Sequence, residues 1–193
     1  MKIKNSLFIL SLFLFSLSAS AQSETFQLFS KSNARGGFGG LSVNFYNAQK
    51  PYIIGEGAAL IGNFYFGGYG YGLDIGTFQS NTDNEEYRVS TGTGGILVGG
   101  FSNTDEIVAL FAETRLGWGE FSAVSTFENQ PNASYSVAAL TVFPMGGIVI
   151  RPFDFLQVRF QAGYAFSGAV ELHGINAPFN AGTFGVGLHF GGF

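Results

Sequence analysis

The segment Thr183-Phe184-Gly185-Val186-Gly187-Leu188-His189-Phe190 alternates large apolar residues with small or polar ones. A period of two marks an extended strand with one greasy and one wettable side, and the greasy side must be covered by a core or by lipid. Two longer stretches obey the same rule. Val108, Leu110, Ala112, Thr114, Leu116 and Trp118 alternate with Ala109, Phe111, Glu113, Arg115, Gly117 and Gly119, and both charges fall in the second set. Leu156, Val158, Phe160, Ala162, Tyr164 and Phe166 alternate with Gln157, Arg159, Gln161 and Gly163.

A soluble domain is about a quarter charged, whereas this chain is 11% charged and 17% aromatic, with 29 Gly and 23 Phe. Such a chain calls for a solvent other than water. Lys2 and Lys4, the apolar stretch Leu7 to Leu17 and then Ala19-Ser20-Ala21 form the three parts of a secretory signal peptide over 1–21, with cleavage before Gln22. The apolar stretch is shorter than the roughly 20 residues of a spanning helix, and glycines interrupt every later candidate. Backbone inside a bilayer must satisfy its own hydrogen bonds, which leaves helices or closed barrels. The expected fold is therefore all-β, an eight-stranded antiparallel up-and-down transmembrane β-barrel. Eight strands follow from the 172 residues after Ala21 at about ten residues per tilted strand plus connections.

Residues 22–35 are polar and aperiodic and read as a periplasmic arm, with the barrel over 36–193. The expected strands are 36–46, 52–61, 64–78, 88–101, 107–121, 133–150, 155–166 and 179–190. Asn47 to Pro51, Gly62-Asn63, Ser102 to Asp105 and Arg151 to Asp154 supply turn chemistry. Leu41, Val43 and Phe45 oppose Gly40, Ser42 and Asn44 in the first strand, and Tyr69, Tyr71, Leu73 and Ile75 oppose Gly68, Gly70, Gly72 and Asp74 in the third. The expected sidedness puts bulky groups outside and small or ionic groups toward the axis; the inward faces of strands two, four and six stay open. After the first loop the connections alternate short and long, with polar surface loops at 79–87, 122–132 and 167–178. Interface girdles are expected from Phe64, Tyr65, Phe66, Phe101, Phe153, Phe155 and Phe190 at one rim and from Trp118, Phe121, Tyr164 and Phe166 at the other.

With its signal peptide, Gly/aromatic hairpins and tail, the chain resembles the small outer-membrane β-barrel superfamily, the group similar to OmpX and the membrane domain of OmpA. The resemblance implies a place in the outer membrane, outer-membrane lipid as surroundings, and recognition by the barrel-assembly machinery through the last strand. The assembly signal of that family lies over Thr183, Gly185, Leu188 and Phe190, with Phe193 as an alternative terminal aromatic. Architecture transfers by such likeness; biochemical activity does not.

The chemistry legible in the residues is modest. Asp74, Glu113, Arg115, Arg159, Gln161 and His189 are expected to form a polar network in the lumen with Glu56 nearby, because charges in so narrow an interior persist when paired. A side-chain plug is the favoured reading over a gated path. His189 has no serine beyond Ser167 to activate, so no catalytic arrangement is legible. Asn81 to Glu86 offers oxygen ligands but lacks the spacing and turn glycine of a calcium loop, and no cofactor or metal is expected. With Lys2 and Lys4 removed, seven basic residues face thirteen acidic ones, a balance that disfavours nucleic acid as a partner. The absence of cysteine leaves neither a lipid anchor nor a disulfide. Two functional classes follow. One is a non-enzymatic barrel whose surface loops serve a binding or envelope-structural role; the other conducts or senses a small solute through the lumen.

Overall fold

The computed structural model describes residues 35–104, 106–126, 134–168, 170–175, 177 and 179–193. The signal peptide and nearly all of the expected arm lie outside the described residues. Eight strands follow one another around a closed ring: β1 (Arg35–Tyr46), β2 (Lys50–Ile61), β3 (Phe64–Gln79), β4 (Glu86–Phe101), β5 (Val108–Ser125), β6 (Ser134–Phe153), β7 (Leu156–Ser167) and β8 (Ala181–Gly192). Every neighbouring pair is antiparallel, and β8 closes on β1 with Leu41 opposite Leu188 and Val43 opposite Val186. Closure removes the sheet edges that a flat sheet would leave unpaired.

β5 and β7 alternate as their sequences predict. Along β5, Ala109, Phe111, Glu113, Arg115, Gly117 and Gly119 are buried in the lumen while Leu110, Leu116 and Trp118 are exposed outside. Gln157, Arg159 and Gln161 of β7 point inward, and Phe160, Tyr164 and Phe166 outward. β1 likewise turns Leu41, Val43 and Phe45 out and Ser42 and Asn44 in.

β3 corrects the expected sidedness. Tyr65, Tyr69, Leu73 and Ile75 are buried in the lumen, whereas Asp74 stands on the outer wall, where it pairs with Arg88 at 2.5 Å. The inner face of β3 sits where the lumen needs volume, and the glycines between the tyrosines supply none. Asp74 lies toward the far end of β3, and β3 to β6, at 16 to 20 residues, are longer than the 12-residue strands β1, β2, β7 and β8. Their far ends carry the outward Asp74, Glu86, Arg88 and Glu120 beyond the apolar belt. Strands β2, β4 and β6 turn inward at Ile54 and Glu56, at Val89 and Leu97, and at Phe143 and Val149.

Three aromatics expected in the girdles belong to the interior instead: Tyr65, Phe101 and Phe121 are all buried. The outward girdles are Phe64, Phe66, Phe153, Phe155 and Phe190 at the short-turn rim, and Trp118, Tyr164 and Phe166 toward the other. From Val108 to Trp118, ten steps of about 3.3 Å at a tilt near 40° span about 25 Å, the height of a membrane barrel's apolar band.

Two expected turns are strand. Lys50 and Pro51 open β2, and Pro51 is tolerated because the β2–β3 ladder begins only at Ile53 opposite Gly72, leaving that edge free. The actual hairpin turn is Asn47-Ala48, both left-handed (φ 48° and 59°), with Gln49 N donating to Tyr46 O at 3.1 Å. This is the turn whose twist matches the flanking strands. Arg151 to Phe153 extend β6 through a register shift, so that the tight connection is Asp154-Phe155.

Candidate lumen charge cluster

The centre of the lumen is built from strands that face one another across the ring. Glu56 comes from β2, Glu113 and Arg115 from β5, Arg159 from β7 and His189 from β8, and all five side chains are fully buried. Arg115 Nη2 pairs with Glu56 Oε2 and lies 2.7 Å from Glu113 Oε1. Arg159 Nη1 stands 3.5 Å from both carboxylates, at Glu56 Oε1 and Glu113 Oε2. Two guanidinium groups thus balance two carboxylates, the arrangement that makes buried charge tolerable.

Neutral groups fill in around the charges. Tyr65 donates its hydroxyl to Glu113 Oε2 at 2.8 Å, Arg159 Nε donates to Gln157 Oε1 at 3.2 Å, and Gln161 Nε2 donates to Asn44 Oδ1 at 2.8 Å. His189 Nε2 lies 2.5 Å from Glu56 Oε1. A carboxylate only accepts, so the imidazole carries its proton on Nε2. Aromatic faces complete the shell. The Arg159 guanidinium carbon is 4.3 Å from the Phe38 ring centroid and 5.2 Å from those of Phe101 and Phe111, and Arg115 lies 5.6 Å from Tyr69. These are cation–π distances in a desolvated site.

Two glycines permit the crowding. A Cβ at Gly99 would fall 2.6 Å from the Tyr65 hydroxyl, and one at Gly40 would meet the His189 Cα at 2.7 Å. Side chains there would push apart the groups that hold Glu113 and Glu56.

Of the expected network, Glu113, Arg115, Arg159 and His189 are brought together through Glu56, Gln161 faces the same lumen but bonds to Asn44, and Asp74 lies outside. Sequence reasoning left Glu56 at the margin, although it makes contact with three of the other four members. The signal for it was present: a single carboxylate within Ile53-Ile54-Gly55-Glu56-Gly57-Ala58 cannot face acyl chains and so must face the axis. Phe38, Tyr65 and Phe101 were missed because aromatics serve girdles and interiors alike.

Both carboxylates are engaged by cations, and His189 packs edge-on against Phe38 at 5.6 Å between ring centroids with its Nε2 on Glu56. Below it, Arg151 lies 4.7 Å from the Phe101 ring and donates to the Asn103 and Glu106 carbonyls, while Phe193 packs on Phe38 at 6.0 Å. The expected assembly residues divide accordingly. Leu188 and Phe190 face outward, Gly185 faces the lumen, and Phe193 turns into the short-turn mouth of the barrel.

No family model and no curated protein matches the chain. Among solved structures it is similar to Neisserial surface protein A (NspA), with a TM-score of 0.55 and 9% identity over 81% of this chain and 94% of that one. It also matches Ail, the attachment invasion locus protein of Yersinia pestis, solved with the heparin analogue sucrose octasulfate, at a TM-score of 0.47 and 14% identity over 84% and 99% of the two chains. The likeness to NspA is one of fold, a small closed eight-stranded barrel.

Proposed function

We propose that this chain is a non-enzymatic integral outer-membrane barrel whose lumen is closed by its own side chains and whose exposed end serves a binding or envelope-structural role. One observation carries the reading: an uninterrupted apolar outer belt encloses a fully buried, charge-balanced Glu56–Glu113–Arg115–Arg159 layer. The belt suits acyl chains, and the layer together with Phe38, Tyr65, Phe101 and Phe111 fills the cross-section where a pore would run. Above the belt, the far ends of β3 to β6 present varied polar groups on a rigid wall, the usual arrangement of a recognition surface.

The experiment is reconstitution in planar bilayers, with outer-membrane partition and heat-modifiable gel mobility as the accompanying checks. The expected result is a protein that partitions with the outer membrane, migrates differently when unboiled and gives no reproducible unitary conductance. Conductance that changes with Arg159→Ala would replace the plugged reading with the solute path, and recovery as a soluble periplasmic monomer would remove the membrane assignment. One observation favours the path. Arg115 Nε and Nη1, Arg159 Nη2, Gln157 Nε2 and His189 Nδ1 are buried without a hydrogen-bond partner among the described residues, positions that ordered water satisfies.

A further inference from the structure

The connection from β7 to β8 does not stay on its own side of the barrel. In the ring order the β3–β4 hairpin lies opposite β7 and β8, yet Ile175 forms an antiparallel bridge with Ser80 at the end of β3. The segment 170–175 therefore crosses the mouth. Ser80 Oγ donates to His173 O at 2.6 Å and Asn81 N donates to Gly174 O at 3.1 Å. Leu172 and Ile175 are buried beneath this crossing, at 2% and 6% exposure.

A side-chain clasp fastens it. His173 Nε2 lies 2.8 Å from Asp83 Oδ2, which also accepts from the Tyr87 hydroxyl at 2.7 Å. The imidazole stacks on Tyr135 of β6 at 3.9 Å with the planes 7° apart, and meets the Tyr87 ring edge-on at 5.5 Å. His173 itself is left-handed, with φ 45°, a conformation that costs energy in a non-glycine residue and persists where its surroundings impose it. The clasp is partly open to water, at 19% and 31% side-chain exposure for His173 and Asp83, so it can be undone without unfolding the barrel.

Beneath the crossing the lumen wall mixes apolar side chains, Ile75, Val89 and Phe121 among them, with hydroxyls. Tyr52 and Thr183 bond to each other at 3.0 Å, and Thr91, Thr93 and Thr141 line the facing strands. Deeper still, the ionic layer closes the barrel. We infer that the 170–175 crossing is a latch, held by the Asp83–His173–Tyr135 clasp, that closes the outer mouth of the barrel and controls access from water to the upper lumen wall. The latch is independent of whether the layer below conducts.

The chain has no cysteine, so Thr91→Cys is a single reporter: it is buried, on the inner face of β4 four residues below Tyr87. Labelling by a charged, membrane-impermeant maleimide is followed on the full-length barrel in proteoliposomes, read on the fraction that stays folded in cold detergent. The expected result is slow labelling with the clasp intact and at least tenfold faster labelling when either Asp83→Ala or Tyr135→Ala is added. Arg88→Ala on the outer wall should leave the rate unchanged. The two clasp variants attack from different elements, the β3–β4 connection and β6, so misfolding of one leaves the other to decide. Labelling as fast in the intact clasp as at Ser136→Cys on the outer surface would overturn the latch, as would clasp variants that leave the rate where it was.

Discussion

Glu56 shows how much one side chain decides here. It pairs with Arg115 and Arg159 and accepts from His189, so Glu56→Gln leaves a buried positive charge in excess. Removing one partner of a buried ion pair costs about 3–5 kcal/mol, and the unfolding midpoint in urea with lipid vesicles should fall accordingly. Adding Arg115→Met should cost less than the sum of the two single changes, because the second removes the charge that the first left unpaired. Asp83 is a different case, at the rim and in contact with water. The Glu85 backbone N–H at 3.0 Å, then the Tyr87 hydroxyl and His173, hold its carboxyl well below the usual carboxylate range. A depressed carboxyl contributes stability in full above its unfolded value of about 3.9 and loses it as pH falls through the folded value. The melting difference between the parent and Asp83→Asn should therefore be constant from pH 7 to about pH 5 and shrink only in stronger acid. A difference that already vanished by pH 5 would contradict this assignment.

At the scale of the strand, β5 is the clearest element and β3 the instructive one. In β5, Glu113 and Arg115 lie opposite Leu110, Leu116 and Trp118 within the belt, and the third charge, Glu120, turns outward only beyond Trp118. Ala112 lies midway along the apolar belt from Val108 to Trp118, and Ser122 lies beyond Trp118, toward the long-loop end. Ala112→Arg should cost about 2–4 kcal/mol and Ser122→Arg about 0–1 kcal/mol, the depth dependence of a charge on a lipid-facing wall. Matched unfolding curves in the same vesicles measure both. Equal costs at the two sites would mean that the outer face of β5 is not graded by membrane depth. In β3 the period of two is just as plain, but its one charge, Asp74, lies above the belt and pairs outside with Arg88. Alternation separates two faces without naming them, and the rule that ionic groups point inward holds only within the span of the lipid.

For the molecule as a whole, the outer belt and the inner layer must agree on one sidedness all the way round. Spin labels at Leu116 and Val158, which stand on the outer faces of β5 and β7, should be accessible to oxygen and shielded from polar relaxation agents in vesicles. Accessibility to the polar agent at both sites would invert the barrel's inside and outside. The same closed ring explains why stability and specificity are joined in the centre: β2, β5, β7 and β8 bring their polar groups together only when every intervening register is correct. A one-residue slip in any ladder turns its inward set to lipid.

Read alone, the residues determined that the chain forms short, repeated, two-faced strands with too little charge for a water-exposed wall, and that Glu113, Arg115 and Arg159 share the less greasy side. These properties are local, because period and composition are carried by neighbours in the chain. The tertiary structure decided what depends on ring closure: that Glu56 meets charges 59 and 103 positions away, that the tyrosines of β3 fill the lumen, that Asp74 rises above the belt, and that the last loop crosses to Asp83. Such contacts join residues distant in sequence, and their existence follows from which strand ends opposite which in the closed sheet.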